Sequence, residues 1–248
     1  MSTRSPSAAT RTIPTTATTT TPTTATPTTP DPGGRPLTVA VVSAGMSDAS
    51  STRLLADRLA EATRDGLDGV PVRIERVDLR PLAHAVTDHL LTGFPAPGLR
   101  AALETVTGAD ALIAATPTFK ASYSGLFKSF FDLVEDGALA DLPVLVAATG
   151  GTARHSLMLD TAMRPLFTHL KALVLPLGVY AATEDWAGET LEPRVRRAGA
   201  QLAGLLAPGT VRSTRTAGGV PAGGARAERG GGFAEVPDFA DLLARVGP

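Results

Sequence analysis

Five hydroxyl-bearing side chains fall within the stretch SAGMSDASST, residues 43–52. They are Ser43, Ser47, Ser50, Ser51 and Thr52. The stretch leads directly into a helical pattern, and free N–H groups at the start of a helix favour a bound anion. Capping that helix requires only one hydroxyl, on Ser50 or Ser51. We therefore predict a phosphate site here, with simple capping as the alternative.

A second candidate loop is TPTFK, residues 116–120, which follows an apolar run and precedes an amphipathic segment. It offers Pro117, Thr118, Phe119 and Lys120. Small polar groups, an aromatic ring and a lysine thus lie together at a corner between a predicted strand and a predicted helix, and the carboxyl ends of strands are where ligands bind in parallel sheets.

A third candidate loop begins at Thr149 and ends at Thr152. Between them, Gly150 and Gly151 allow backbone N–H groups to approach a flat ligand closely. A glycine pair also forms ordinary turns between a strand and a helix, so this loop alone decides nothing.

The elements that must position these loops alternate along residues 37–207. Apolar runs predict five strands, at 37–43, 72–79, 111–116, 143–149 and 172–181. Amphipathic periodicity predicts five helices, at 50–67, 98–109, 124–136, 156–171 and 192–207. This alternation indicates an α/β fold, and we predict a flavodoxin-like, doubly wound sheet of five parallel strands in the order 2-1-3-4-5. Ligands bind such sheets at the carboxyl ends of the strands, where all three loops lie.

Three segments, in this order, carry a resemblance to a known family: SAGMSDASSTRLLADRL, TPTFKASYSGLFKSFFDLV and ATGGTARHSLMLDTAMRPLFTHLKA. They resemble the NAD(P)H-dependent FMN reductases, most closely those that supply reduced flavin to two-component monooxygenases of the alkanesulfonate type. The likeness spans about residues 37–186. One position departs from it, because Ser47 stands where many members carry an arginine in the phosphate loop. Backbone amides and hydroxyls would then have to neutralise more of the phosphate charge.

The resemblance implies FMN and NADPH or NADH as cofactors, with hydride transfer from the nicotinamide to flavin N5. No general acid or base is required, so we assign no catalytic side chain. Residues 117–120 would follow the edge of the isoalloxazine ring, with Phe119 as one wall. The turn at 149–152 would lie near the pyrimidine end, where peptide N–H groups stabilise negative charge near N1. A flavin-dependent monooxygenase partner and a homodimer or homotetramer are also implied.

The resemblance further places Tyr123 on a helix with an inserted residue, where it would tune flavin release or assembly. Packing at the start of the helix is the alternative. Lys120 and Lys128 could attract the additional phosphate of NADPH, or could simply be solvated, which we favour for Lys128. Arg154 is a further candidate for a phosphate contact, and His155 for the lining of the site.

Composition excludes several classes of function. The formal net charge of −1 gives no bulk attraction to nucleic acid or anionic membranes, and the absence of cysteine removes thiolate chemistry. No P-loop, hydrolase elbow or G-x-G-x-x-G sequence is present. His84 and His89 are five residues apart, which is not the spacing of a helical metal site, so we predict no metal. With no apolar run of membrane-spanning length, we expect a cytoplasmic protein without a membrane segment.

Both ends differ in composition from the predicted domain at 37–207. Residues 1–36 contain fourteen Thr and seven Pro, which predicts a disordered tail. Residues 208–248 begin with a stretch rich in Gly, Ala and Arg, which predicts a flexible C-terminal tail.

Other functions remain open on the same fold. One is a quinone or azo-compound reductase that keeps FMN bound and passes the hydride to a second acceptor. Another is a flavodoxin-like electron carrier, although such carriers are strongly acidic and this chain is nearly neutral. A flavin-free interaction module conflicts with the three ligand loops. Fold alone does not decide among them.

Overall fold

The computed structural model describes residues 35–207. The predicted N-terminal tail, except Arg35 and Pro36, and the predicted C-terminal tail lie outside the described residues. The Arg35 guanidinium donates to both carboxylate oxygens of Asp110, at 2.8 and 2.6 Å. Asp110 also accepts from the backbone N–H of Thr38 at 2.8 Å. Arg35 is thereby attached to the beginning of the folded region.

A parallel sheet forms the centre of this region. Its strands are β1 (Leu37–Ser43), β2 (Val72–Asp78), β3 (Ala111–Phe119), β5 (Pro143–Gly150), β6 (Leu173–Val174) and β7 (Val179–Ala182). A short strand, β4 (Ser122–Tyr123), pairs antiparallel with the end of β3. The order is β2-β1-β3-β5-β6, with β7 also parallel to β5. The predicted order 2-1-3-4-5 is confirmed, with the fifth strand divided into β6 and β7. Pro176 lies between the two pieces and has no N–H to donate to a neighbouring strand.

Helices cover both faces of the sheet. They are α1 (Ser51–Asp65), α2 (Ala83–Thr92), α3 (Pro97–Thr107), α4 (Gly125–Phe131), α5 (Arg164–His169) and α6 (Leu191–Leu206). The sequence did not predict α2. The helix predicted at 156–171 is π-helical at Leu159–Met163 before it continues as α5. Within residues 35–207, no helix is long and apolar enough to cross a membrane.

Alternation along the strands divides the core into two layers. In β1, Val39 and Val41 pack under α1 and α6, whereas Ala40 and Val42 belong to the layer on the opposite face. That opposite layer contains Phe127, which touches Phe131 and Phe167 with ring centroids 4.8 and 6.2 Å apart. Because buried aromatic side chains contribute roughly 3–5 kcal/mol each, this layer fixes α4 and α5 against the sheet.

Tyr123 does not lie on a helix, contrary to the prediction. It belongs to β4, which pairs antiparallel with the end of β3 so that Tyr123 lies opposite Thr118. Ser124 caps α4 through a bond from the Phe127 N–H, which makes Gly125 the first helical residue. Tyr123 therefore precedes the helix, and the π-helical turn occurs after β5 instead.

Candidate functional site

The three predicted loops meet at one edge of the sheet. In the β1–β3 ladder Ser43 lies opposite Ala115, and in the β3–β5 ladder Pro117 lies opposite Thr149. The carboxyl ends of β1, β3 and β5 are therefore adjacent. This is the edge at which ligands bind in doubly wound sheets.

The loop after β1 uses part of its hydroxyl content to hold its own shape. Ser43 Oγ accepts from the Gly45 N–H at 3.3 Å, and Ser50 Oγ caps α1 by accepting from the Arg53 N–H at 3.2 Å. Ser50 therefore caps the helix, which was the alternative to a role in binding phosphate. The side chains of Ser47 and Ser51 are exposed, and Ser51 is the first residue of α1, where backbone N–H groups have no partner within the helix. These two hydroxyls and the helix start remain the candidate phosphate donors.

Thr52 has a different position from the other four hydroxyls. Its side chain is buried, and its Oγ1 lies 2.7 Å from Oγ1 of Thr149. One hydroxyl donates to the other across this distance, so the start of α1 is bonded to the end of β5. Two predicted site residues are thus in contact with each other. Both are buried, so their hydroxyls connect α1 to β5 and are not exposed to a ligand in solvent.

β3 continues to Phe119, beyond the predicted end at residue 116, so residues 116–119 of the second predicted loop belong to the strand. The loop after β3 is a tight hairpin. Lys120 and Ala121 form its two-residue turn, with φ angles of 52° and 63°. Positive φ at two consecutive residues is usual for this turn, but asparagine and glycine normally supply it. Phe119, directly before the turn, is half exposed. The hairpin therefore presents an aromatic ring and Lys120 at the rim of the site.

A buried hydroxyl network attaches this hairpin to α4. Thr116 Oγ1 donates to the Pro117 carbonyl at 3.0 Å and accepts from the Ser124 N–H at 3.0 Å. Both side chains are buried. Thr116 begins the second predicted loop, but neither Thr116 nor Ser124 was predicted as a site residue. The signal that could have identified them is a hydroxyl at each end of the turn, in otherwise apolar surroundings.

Tyr180 supports the loop after β5 and was also missed. Its hydroxyl donates to the Thr152 carbonyl at 3.1 Å, and a Cβ added at Gly150 would lie only 1.9 Å from that hydroxyl. Gly150 is therefore needed for the close approach of Tyr180. At Gly151 an added Cβ would meet nothing within 4 Å. Of the two residues, only Gly150 therefore has to be a glycine for steric reasons.

An ion pair between Arg194 and Asp185 is attached to the backbone of Tyr180. Arg194 donates to the Tyr180 carbonyl at 2.9 Å and pairs with Asp185 at 2.6 Å. Burial of Asp185 opposes ionisation, but bonds from the Ala182 N–H and the Arg194 guanidinium hold its pKa below the ordinary value of 3.8. Asp185 is thus kept ionised, and the end of β7 is fixed next to the loop after β5.

The remaining charged candidates lie near the surface. Lys128 pairs with Asp132 one turn along α4, in agreement with the solvated position that we favoured. Arg154 and His155 are exposed on a short 3₁₀ turn after Thr152. Across residues 35–207, no group of three or more His, Cys, Asp or Glu side chains could hold a metal ion.

These features fit a phosphorylated flavin. The exposed hydroxyls at the start of α1 suit a phosphate, and a flat ring suits the edge formed by residues 117–120 and 149–152. Thr118 Oγ1 is buried at this edge and has no hydrogen-bond partner among the described residues. A buried hydroxyl without a partner is costly, so a ligand that bonds to it would be stabilised.

Comparisons with known proteins agree with this description. The family model of NADPH-dependent FMN reductases matches residues 37–187. An FMN reductase (NADPH) of Pseudomonas aeruginosa is 38% identical over 69% of this chain and 93% of its own. The NADH-dependent FMN reductase SfnF of Pseudomonas fluorescens is 41% identical, again over 69% of this chain and 93% of its own.

Two solved structures share the fold. An oxidoreductase from Corynebacterium diphtheriae has a TM-score of 0.67 and 41% identity, covering 69% of this chain and 97% of its own. The apo form of the NADH:FMN oxidoreductase EmoB has a TM-score of 0.60 and 26% identity, covering 67% and 88%. With the family match over most of the described residues, the chain belongs to the NADPH-dependent FMN reductase family, whose members are oxidoreductases that use FMN and NADPH or NADH.

Proposed function

We propose that this protein reduces FMN with NAD(P)H and releases it in reduced form to a separate flavin-dependent monooxygenase. The observation that carries the proposal is the meeting of three loops, rich in hydroxyls and glycine, at one exposed edge of the sheet. Each loop has exposed residues at this edge: Ser47, Ser51, Lys120 and Gly151. A flavin bound along these residues would remain in contact with solvent and could leave.

The chain's own residues would bind and orient rather than transfer protons. The start of α1, with Ser47 and Ser51, would hold the phosphate. The residues at 117–120 would lie along the ring edge, and Phe119 would form one wall. Backbone N–H groups at 149–152 would face the pyrimidine end, where Tyr180 fixes the loop. When bound, FMN would supply the redox chemistry, since its reduction takes up a hydride from NAD(P)H and a proton from solvent and leaves NAD(P)⁺.

Relatives of this chain are named for different nicotinamide nucleotides. The P. aeruginosa relative is named for NADPH and the P. fluorescens relative for NADH. Lys120 and Arg154 are exposed near the site and would favour NADPH through its additional phosphate. Assays with both nucleotides at equal concentration measure this preference directly.

The supply of reduced flavin is tested by the fate of FMN. Protein mixed with FMN is passed through a gel-filtration column, and the flavin that remains with the protein is measured. We expect most of the flavin to separate from the protein. Another outcome is that the protein retains one FMN per chain and turns over only when a quinone or azo dye is added. That result would favour a quinone or azo-compound reductase that keeps its FMN bound. Failure to oxidise NAD(P)H with any acceptor would favour an electron carrier.

Location and assembly are part of the same proposal. We place the protein in the cytoplasm as a homodimer or homotetramer, on the resemblance to flavin-supplying reductases. The domain would occupy residues 37–207, with tails on both sides. Sedimentation velocity with and without FMN would report the oligomeric state.

A further inference from the structure

The loop after β1 carries a negative charge where a phosphate is expected to bind. Asp48 lies in this loop, next to Ser47, the residue that replaces the arginine of many family members. A carboxylate at this place would repel a phosphate unless a cation compensates for it. The compensation comes from Arg80, whose Nη1 lies 2.5 Å from Asp48 Oδ1.

The backbone places Arg80 beside the loop. In the β1–β2 ladder Ser43 lies opposite Asp78, and the Leu79 N–H donates to the Ser43 carbonyl at 2.9 Å. Arg80 is the next residue, so it emerges at the same edge of the sheet as the phosphate loop. Arg53, the other nearby arginine, donates to the backbone carbonyl of Asp48 at 3.2 Å. Arg53 thus holds the backbone of the loop, whereas the Arg80 guanidinium is bonded to an exposed side chain.

The bond between Asp48 and Arg80 can be exchanged at little cost. The Asp48 side chain is 97% exposed and that of Arg80 is 46% exposed. Ion pairs in such positions contribute little to stability because water screens both charges. A phosphate monoester carries between about −1.5 and −2 charges near neutral pH and offers three acceptor oxygens. It would therefore compete well with a single carboxylate for a guanidinium.

We propose that Arg80 selects FMN over riboflavin by binding the phosphate, and that Asp48 occupies Arg80 until the phosphate replaces it. The proposal rests on the proposed function, because it assumes that the phosphate lies at the start of α1. It assigns to Arg80, on the short 3₁₀ turn that follows β2, the charge that Ser47 does not supply in the loop itself. Asp48 then lowers FMN affinity and favours release of the product.

The test compares FMN with riboflavin, which lacks the phosphate. Dissociation constants for both are measured from flavin fluorescence with the full-length protein and with the variants Arg80→Gln and Asp48→Asn. We expect Arg80→Gln to weaken FMN binding about tenfold and to leave riboflavin binding unchanged. We expect Asp48→Asn to tighten FMN binding about threefold, again without an effect on riboflavin. Riboflavin binding also reports that each variant is folded.

A matched ion pair serves as the control. Arg76 on β2 pairs with Asp57 on α1 at 2.6 Å, and neither residue belongs to the loop after β1. Arg76→Gln and Asp57→Asn should leave the ratio of FMN to riboflavin affinity unchanged. If they change it as much as the loop variants do, the effect is general electrostatics and the assignment of Arg80 is wrong.

Two other results would also overturn the assignment. One is an unchanged FMN affinity in Arg80→Gln, and the other is a rise in KM for NADPH without any change for FMN, which would place Arg80 at the nucleotide. Failure of the unmodified protein to bind either flavin would instead contradict the proposed function. The two failures are therefore distinguishable.

Discussion

The buried hydroxyls of Thr52 and Thr149 lie 2.7 Å apart and join the first turn of α1 to the carboxyl end of β5. The phosphate loop and the loop expected near the flavin ring are therefore not independent. A displacement at one of these residues leaves a buried hydroxyl at the other without its partner.

Replacement of one member of this pair should destabilise the protein. Thr149→Val keeps the shape of the side chain but leaves the Thr52 hydroxyl buried and unsatisfied, which costs about 1–3 kcal/mol. Urea unfolding measures the loss. The double variant Thr52→Val/Thr149→Val should be more stable than the sum of the single losses predicts, because replacement of both partners by apolar groups is nearly neutral. Strictly additive losses would show that the two hydroxyls do not interact.

The glycine pair after β5 should respond unequally to alanine. At Gly150 a Cβ would lie 1.9 Å from the Tyr180 hydroxyl, so Gly150→Ala should lower the free energy of unfolding by about 1–3 kcal/mol. Gly151→Ala is the matched control, with nothing within 4 Å of its Cβ, and should change stability by less than about 0.5 kcal/mol. Removal of the hydroxyl by Tyr180→Phe should restore part of the loss in Gly150→Ala. Equal effects at the two glycines would contradict this account of the turn.

The hairpin after β3 contains backbone strain that glycine should relieve. Ala121 has a φ of 63°, a conformation that costs a residue with a Cβ roughly 1–2 kcal/mol. Ala121→Gly should raise the free energy of unfolding by about 1 kcal/mol, measured by thermal or urea denaturation. The control is Ala101→Gly on the exposed side of α3, where glycine should destabilise by about 1 kcal/mol. Destabilisation at both positions would show that the hairpin is not strained.

The network behind Tyr180 should make part of the stability depend on pH. The pKa of Asp185 is lowered in the folded state, so its contribution is present above the ordinary value of 3.8 and is lost as the pH falls through the folded pKa. Asp185→Asn should therefore cost about 1 kcal/mol near neutral pH, and the difference from the unmodified protein should shrink in acid. Asp160→Asn, at an exposed pair with Arg164, should cost only about 0.3 kcal/mol. A loss in Asp185→Asn that does not change with pH would contradict the role of its charge.

The strands could be located because continuous apolar runs such as LTVAVVS are typical of strands buried on both faces. Their alternation with helical segments then predicted the strand order. Helix α2 could not be predicted, because Val86 is its only fully buried residue and its apolar pattern is therefore weak. The hairpin was missed for a related reason: Lys120 and Ala121 take positive φ without the asparagine or glycine that signals such a turn.

The site also has a part that could be predicted from the sequence and a part that could not. Its loops could be located from hydroxyl and glycine content at the ends of predicted strands. The roles of Tyr180 and Arg80 depend on contacts with Thr152 and Asp48, which are far away in the sequence. Tertiary contacts of this kind leave no pattern in the neighbouring sequence, so the roles of these two residues could not be predicted from it.

The most direct test of the central claim is the initial rate of NAD(P)H oxidation as free FMN is increased in large excess over the protein. If FMN is a substrate that leaves in reduced form, the rate should rise with FMN and saturate, and each protein chain should reduce many flavins. A yellow protein whose rate ignores added FMN and depends on a quinone would contradict the account, because its flavin would then be a fixed cofactor.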